Sequence, residues 1–312
     1  MNVSDLTLAE LHSALSRDGI YLHTFPFVVH LQSEVTSLAS GIHALYADYE
    51  VELDAEFSDF HMQIALPNSL RRWFKPKVTF IHDGETPFTP LPASQAYPLF
   101  EWALNWCVAN HVRQYLTFHA AMLEKGGHAI ILPGVPGAGK STLCAALACR
   151  GWRLLTDEIT MISTRDNMAI PVPRPVSLKN ESIDVIQSFA PEAVIGERAH
   201  NTAKGTVANM KPSVESIKNA RQCARPAWVV FPCYRQGAET QLEPISKCDA
   251  FMRLIQYSFN YHVTGVQGFQ AVGKMLDDSE CYTFCYSDLD EAIALFDGFQ
   301  GAKSQTVAGG KA

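Results

Sequence analysis

The run Gly134-Val135-Pro136-Gly137-Ala138-Gly139-Lys140-Ser141 satisfies the pattern G-x-x-x-x-G-K-[ST] at every fixed position. Its glycines let the backbone curl so that consecutive N–H groups face inward, a concavity suited to phosphate oxygens. The apolar run His128-Ala129-Ile130-Ile131-Leu132 in front reads as a buried strand, and Ser141 to Cys149 behind reads as a helix. Those are the flanks the motif needs, and a helix N-terminus adds a favourable field for anions. Lys140 is placed to bridge the β- and γ-phosphates, and the Ser141 hydroxyl to ligate Mg²⁺. The expected ligands are therefore a nucleoside triphosphate, ATP, with Mg²⁺. Gly134, Val135, Pro136, Gly137, Ala138, Gly139, Lys140, Ser141 and Thr142 form the expected binding set.

Asp157 follows Lys140 by 17 positions, room for one short helix and one strand. The strand Trp152-Arg153-Leu154-Leu155-Thr156 would thus deliver Asp157 and Glu158 to the phosphate loop's edge of a sheet. An acid there can reach Mg²⁺ directly or through water, or it can accept a proton from a substrate hydroxyl. Two adjacent carboxylates can divide these roles; the plainer alternative is a pair that simply ends a strand. A transferring phosphoryl group also needs cations. The Pro-fixed loop at 173–180 offers Arg174 and Lys179, and Lys204 sits beside Gly205, although loop lysines are commonly just solvated. His119, in Thr117-Phe118-His119-Ala120-Ala121, reads first as a core or edge residue of a strand.

These residues need a scaffold, and the chain divides into two expected units. Residues 1–92 read as a small α+β domain. It has a helix at Leu6 to Leu15 capped by Asp5, and a strand at Ile20 to Leu31 that Pro26 marks as an edge or bulge. A helix at Glu34 to Tyr46 follows, with strands at Phe60 to Leu66 and Lys77 to His82, the latter ending in an Asp83-Gly84 turn. The prolines of 86–92 make a stiff connector. The second unit, 93–304, opens with a helix at Gln95 to Ala109 whose Trp102 and Trp106 share a face and read as core packing. Strands at 116–123 and 128–132, joined by Glu124-Lys125-Gly126-Gly127, lead into the phosphate loop. Later come a polar stretch at 197–222, strands at 228–231 and 281–286, and helices at 183–189, 248–259, 266–275 and 289–296. Residues 305–312 read as a frayed tail.

The chain's 312 residues carry a net charge of −7 without a basic stripe, which argues against a nucleic-acid partner. No apolar run approaches the ~18 residues needed to span a bilayer, and the first residues lack the basic and apolar regions of a secretory signal. Eight cysteines are scattered with no C-x-x-C pair; reduced thiols in a cytoplasmic protein are the simple expectation.

The order of His119-Ala120-Ala121, a turn, the Gly134–Ser141 loop, a short helix and Gly151-Trp152-Arg153-Leu154-Leu155-Thr156-Asp157-Glu158 resembles the HPr kinase/phosphorylase family and its kinase-related branches. More distantly it is similar to ATP-dependent phosphoenolpyruvate carboxykinases. The resemblance covers residues 115–165 firmly and extends to about 215, leaving 1–92 outside. It implies an α/β fold, a phosphate-loop domain of the HPr kinase/carboxykinase type with a smaller N-terminal α+β domain. It also implies that His119 lies near the phosphates and metal, that Asp157 is the catalytic base, and that Glu158 is a metal ligand. That family usually carries two aspartates, so Glu158 departs from its pattern. The implied activity is ATP-dependent transfer to a hydroxyl of a small protein, peptide or metabolite, by a chain that self-associates. The competing class is a nucleotide switch or NTPase. Against its commonest forms, Ser246-Lys247-Cys248-Asp249 lacks the Asn or Thr of a guanine-reading motif, and no L-S-G-G-Q-like signature is present.

Overall fold

The structure, a computed structural model, describes residues 1–67 and 74–299; the expected tail at 305–312 lies outside the described residues. Helix α1 (Leu8–Ser16) opens on a capping box in which the Thr7 hydroxyl accepts from the Glu10 N–H and the Glu10 carboxylate accepts from the Thr7 N–H at 2.8 Å. Thr7 is therefore the cap, and Asp5 instead accepts from the Asn2 N–H. The single strand expected over 20–31 is a hairpin of β1 (Ile20–Thr24) and β2 (Phe27–Gln32), paired from Ile20↔Leu31 to Thr24↔Phe27. Pro26 sits at its turn, where the missing N–H disturbs no ladder. After α2 (Thr36–Leu45) come β3 (Val51–Glu52), β4 (Phe60–Ala65), β5 (Lys77–Ile81) and β6 (Leu91–Pro92). These strands form a six-stranded sheet in the order β3-β1-β2-β4-β5-β6.

Helix α3 (Ala96–His111) is expected to open the second unit, yet it packs on this first sheet. Its Leu99, Phe100, Ala103, Leu104 and Val108 share one core with Leu38, Ile42, Ile64 and Phe80. The cause lies in the proline connector: Leu91 pairs with Val78 as β6 joins β5, and that turns the start of α3 back over the sheet.

The phosphate-loop part begins with β7 (Tyr115–Lys125), β8 (His128–Pro133), α4 (Lys140–Cys149), β9 (Arg153–Thr156), β10 (Ile159–Ser163) and β11 (Ala169–Ile170). It continues through β12 (Val176–Lys179), α5 (Glu181–Phe189), β13 (Ala199–Thr202), β14 (Gly205–Met210), α6 (Val214–Lys218) and β15 (Arg225–Tyr234). It ends with β16 (Gln241–Pro244), α7 (Lys247–Leu254), α8 (Tyr261–Asp277), β17 (Glu280–Tyr286) and α9 (Leu289–Asp297). An eight-stranded mixed sheet runs β11-β10-β7-β8-β15-β17-β16, with β9 also paired to β7. Strands β8, β15 and β17 run parallel; β8 and β15 are covered on both faces and so read as near-continuous apolar runs. One face packs Leu143, Leu147, Ile183, Ile186, Ile293 and Phe296 from α4, α5 and α9. The other packs Ala250, Leu254, Val272 and Met275 from α7 and α8.

Strand β7 pairs with β8 on one edge, and on the other edge with β10 and β9 in tandem. The polar stretch at 197–222 contains the β13–β14 hairpin, which joins β12 in a three-stranded sheet, order β12-β14-β13. Its alternation is weak, since β13 buries only Ala199 and Thr202. The two parts share a core: Ile159, Met161, Ile170 and Val172 belong to the same apolar cluster as the N-terminal sheet. The chain is thus a mixed α/β structure. Among the described residues no helix is long and apolar enough to cross a membrane.

Candidate functional site

Strand β8 ends at Pro133 with its last five residues buried, and the chain then emerges as an exposed tip at Val135, Pro136 and Gly137. Gly137 and Gly139 have φ of +87° and +85°, values that glycine adopts without strain. A Cβ on Gly137 would meet nothing within 4 Å among the described residues, so the tip is open; one on Gly139 would sit 2.5 Å from the Tyr286 hydroxyl. That close approach clamps the loop onto the sheet. Tyr286 donates to the Gly139 carbonyl at 3.0 Å, and the Tyr234 N–H donates to the Ala138 carbonyl at 3.2 Å. Lys140 is buried and donates to the carbonyls of Gly134 at 2.5 Å and Val135 at 3.2 Å. Burial pushes its ammonium below the usual lysine range, against the opposing pull of Asp157. Ser141 and Thr142 are half-buried at the start of α4.

Asp157 and Glu158 occupy the bend between β9 and β10, and β10 pairs Ile159 directly opposite His119 on β7. One corner of the sheet therefore carries the histidine and both acids. Asp157 is 5% exposed, and its Oδ2 accepts from the Ser141 hydroxyl at 3.3 Å and from the Ser177 N–H at 2.8 Å. Its Oδ1 is buried with no hydrogen-bond partner among the described residues. Burial, and then the neighbouring Glu158 charge, push the Asp157 carboxyl up to about 6. Glu158 moves the opposite way. Burial would raise it, but Lys204, Lys179, Arg174 and His119 together hold it below the usual range. Two adjacent acids with separated proton affinities are what an acid/base assignment requires. Burial and Lys140 lower His119, which favours its neutral form. The imidazole meets Phe259 edge-on, with ring centroids 6.2 Å apart.

The expected cations divide into two kinds. Lys179, at the end of β12, places its ammonium 3.9 Å from Glu158 Oε1. Lys204 comes from the β13–β14 turn and lies 5.2 Å over the Trp102 ring; burial lowers it and Glu158 opposes the fall. Arg174 differs from expectation. It is buried rather than on an open loop, with Nη1 3.4 Å from Glu101 Oε2 and Nη2 donating to Asn105 Oδ1. Its guanidinium thus reaches the acid pair through Asn105, whose amide donates to Glu158 Oε2. Glu101 is further held by the hydroxyls of Tyr46 at 2.8 Å and Tyr97 at 2.6 Å.

Helix α3 supplies the residues that sequence reading did not foresee. Glu101 and Asn105 stand at i, i+4 and so reach one site. Trp102, read as core, instead lies half-buried beneath Lys204. Gln95, just before the helix, donates to the carbonyls of His200 and Asn201 at 3.0 and 3.2 Å and so fixes the hairpin that carries Lys204. The one available signal was a polar pair embedded in an otherwise apolar helical run.

The residues fit the expected ligands. The loop tip is open, the oxygen donors of Ser141, Asp157 and Glu158 suit a hard cation, and Asp157 Oδ1 is a buried acceptor left without a hydrogen-bond partner among the described residues. Among the described residues no group of three or more His, Cys, Asp or Glu could enclose a metal. Mg²⁺ sites of one or two carboxylates completed by substrate phosphates have this sparse character.

No family model matches the chain. No curated protein matches it either. Among solved structures, the chain is similar to the Hpr(Ser) kinase/phosphatase from Coxiella burnetii, at 12% sequence identity and a TM-score of 0.24. That match covers 58% of this chain and 91% of the other.

Proposed function

We propose that this chain is an ATP-dependent phosphotransferase built on a phosphate-loop domain of the HPr kinase type, with the smaller N-terminal α+β part completing its site. The acceptor is a hydroxyl of a small protein, peptide or metabolite, and Asp157 is the base. The observation that carries this reading is the buried Asp157, bonded to the Ser141 hydroxyl with its second oxygen unpartnered. A carboxylate raised to about 6 is ionised at neutral pH yet basic enough to take a proton.

In this reading the loop from Gly134 to Thr142 holds the phosphates, and Ser141, Asp157 and Glu158 would hold Mg²⁺. When bound, Mg²⁺ would supply charge neutralisation at the phosphates. Asp157 Oδ1 accepts the acceptor's hydroxyl proton as its oxygen bonds the γ-phosphorus and the bond to the β-bridging oxygen breaks. Lys140, Lys179 and Lys204 neutralise the charge that develops on the phosphoryl oxygens. Neutral His119 is a hydrogen-bonding partner at the same corner. Asn105 and Arg174 hold Glu158 in place.

The test is turnover of ATP with Mg²⁺ by wild type, Lys140→Ala and Asp157→Asn, each with candidate acceptors and with none. Transfer should depend on an acceptor, and Asp157→Asn should bind ATP yet lose at least about a hundredfold in transfer, the usual scale of general-base loss. Steady hydrolysis without acceptor, with Asp157→Asn merely raising the Mg²⁺ requirement, would instead establish an NTPase.

A further inference from the structure

The phosphate loop has two flanks, and only one carries the acids. On the β7 side, β9 and β10 bring Asp157, Glu158 and His119 to the corner already described. On the opposite side, the loop's Gly134, Val135 and Ala138 border a separate cleft of about 450 Å³ at the carboxyl ends of β15 and β17. Phe231 and Tyr257 supply aromatic wall, Arg235 and Arg253 supply guanidinium groups, and Gln241 and Glu243 line the edge strand. The volume lies within the roughly 300–1,000 Å³ typical of small-molecule sites. Neither arginine has a carboxylate within 4 Å among the described residues, although Glu243 lines the same cleft. The Arg253 guanidinium lies 5.8 Å from the centre of the Phe231 ring, where it can face a second flat ring.

A nucleotide lying along this loop has a direction. Its reacting end belongs where the base and the cations are, on the β7 flank, so the other end leaves the loop toward β15 and β17. We infer that the cleft between Arg253, Tyr257 and the β16 edge takes the nucleoside of the triphosphate. The base stacks against the Arg253–Phe231 pair, and Gln241 and Glu243 face its polar edge. Arg235, which follows β15 at the loop's side, lies nearest the sugar and α-phosphate. The assignment rests on the reading of Gly134–Ser141 as the phosphate loop.

Binding of Mg·ATP and of Mg·tripolyphosphate, which has the phosphates without the nucleoside, tests it on the full chain. Arg253→Ala should weaken ATP by about tenfold, the scale of one desolvated cation–π contact, and leave tripolyphosphate unchanged. Lys140→Ala should weaken both. A second readout needs no variant: ATP, but not tripolyphosphate, should protect the half-buried Cys233 and Cys285 of the cleft from iodoacetamide, mapped by mass spectrometry. If ATP and tripolyphosphate bind wild type equally and neither cysteine is protected, the cleft assignment fails while the phosphate-loop reading stands. An Arg253→Ala protein with unchanged ATP affinity and a raised KM for the acceptor also overturns it, giving the cleft to the acceptor. Binding of both probes that is indifferent to Lys140→Ala removes the phosphate-loop reading and this assignment with it.

Discussion

Asp157 is held where its charge is unwelcome, and that has a thermodynamic signature. Its carboxyl titrates near 6 in the folded chain against an ordinary value of 3.8. Between those values the folded protein keeps a proton that the unfolded chain has lost, so folding stability falls as pH rises through this window. Above it the displacement amounts to about 3 kcal/mol against the fold. Asp157→Asn keeps an oxygen for the Ser177 N–H and removes the charge. The metal-free variant should therefore melt about 5 °C higher than wild type at pH 8, and the gain should vanish near pH 4, where wild type is itself protonated. Thermal scans at the two pH values decide it, and a variant no more stable at pH 8 would contradict the burial account. Added Mg²⁺ should narrow the difference by stabilising the wild-type carboxylate. The loop, both acids, Lys179 and Lys204 were all legible in the sequence, because the motif and the strand after it are local. Arg174 was legible as a cation near the acids but not as a buried one. Its partner Glu101 is 73 positions away.

At the scale of elements, α3 is the most informative. Its helical run is visible in the sequence, and Ala96, Leu99, Phe100, Ala103, Leu104, Cys107 and Val108 are all buried, but none of these residue types says by what. Partner choice for a helix so widely apolar is decided by long-range contacts, here by the pairing of Val78 with Leu91. For the same reason the Asn105 role could not be foreseen. Asn105→Ala should leave Glu158 Oε2 and the Arg174 guanidinium without a shared partner. We expect about a tenfold loss in transfer rate and a higher Mg²⁺ concentration for half-maximal activity, as for other outer-shell partners of metal ligands. Asn105→Asp, which adds a like charge beside Glu158, should lose more. A Mg²⁺ titration of initial rates separates this from simple destabilisation, which would lower the maximum without moving the midpoint. Strand β10 was missed for a different reason: it follows the acids after a bend of only two residues, and nothing in Asp157-Glu158 resembles the Gly or Asn of a tight turn.

The whole molecule does not part cleanly at its proline connector. Tyr49 donates to the Pro173 carbonyl at 2.7 Å, Lys211 pairs with Asp48 at 2.7 Å, and Gln95 holds the β13–β14 hairpin. Together with the shared apolar core, these contacts make the N-terminal part a structural half of the site. A chain beginning at Arg113 should expose Ile159, Met161, Ile170 and Val172 and lose its melting transition or aggregate; a cooperative, soluble fragment would refute this dependence. One arrangement has a wider consequence. Strand β7 sits between β8, which leads into the phosphate loop, and β9, which leads into the acids. The strand backbones that end in the phosphate cradle and in the acids are then held two strand spacings apart, about 10 Å, and the side chains of Ser141 and Asp157 close that span to a 3.3 Å contact. Backbone hydrogen bonds act as a ruler that no loop length can stretch. Surrounding segments are free to lengthen, shorten or be exchanged for those that greet another acceptor, while the distance over which the chemistry happens stays the same.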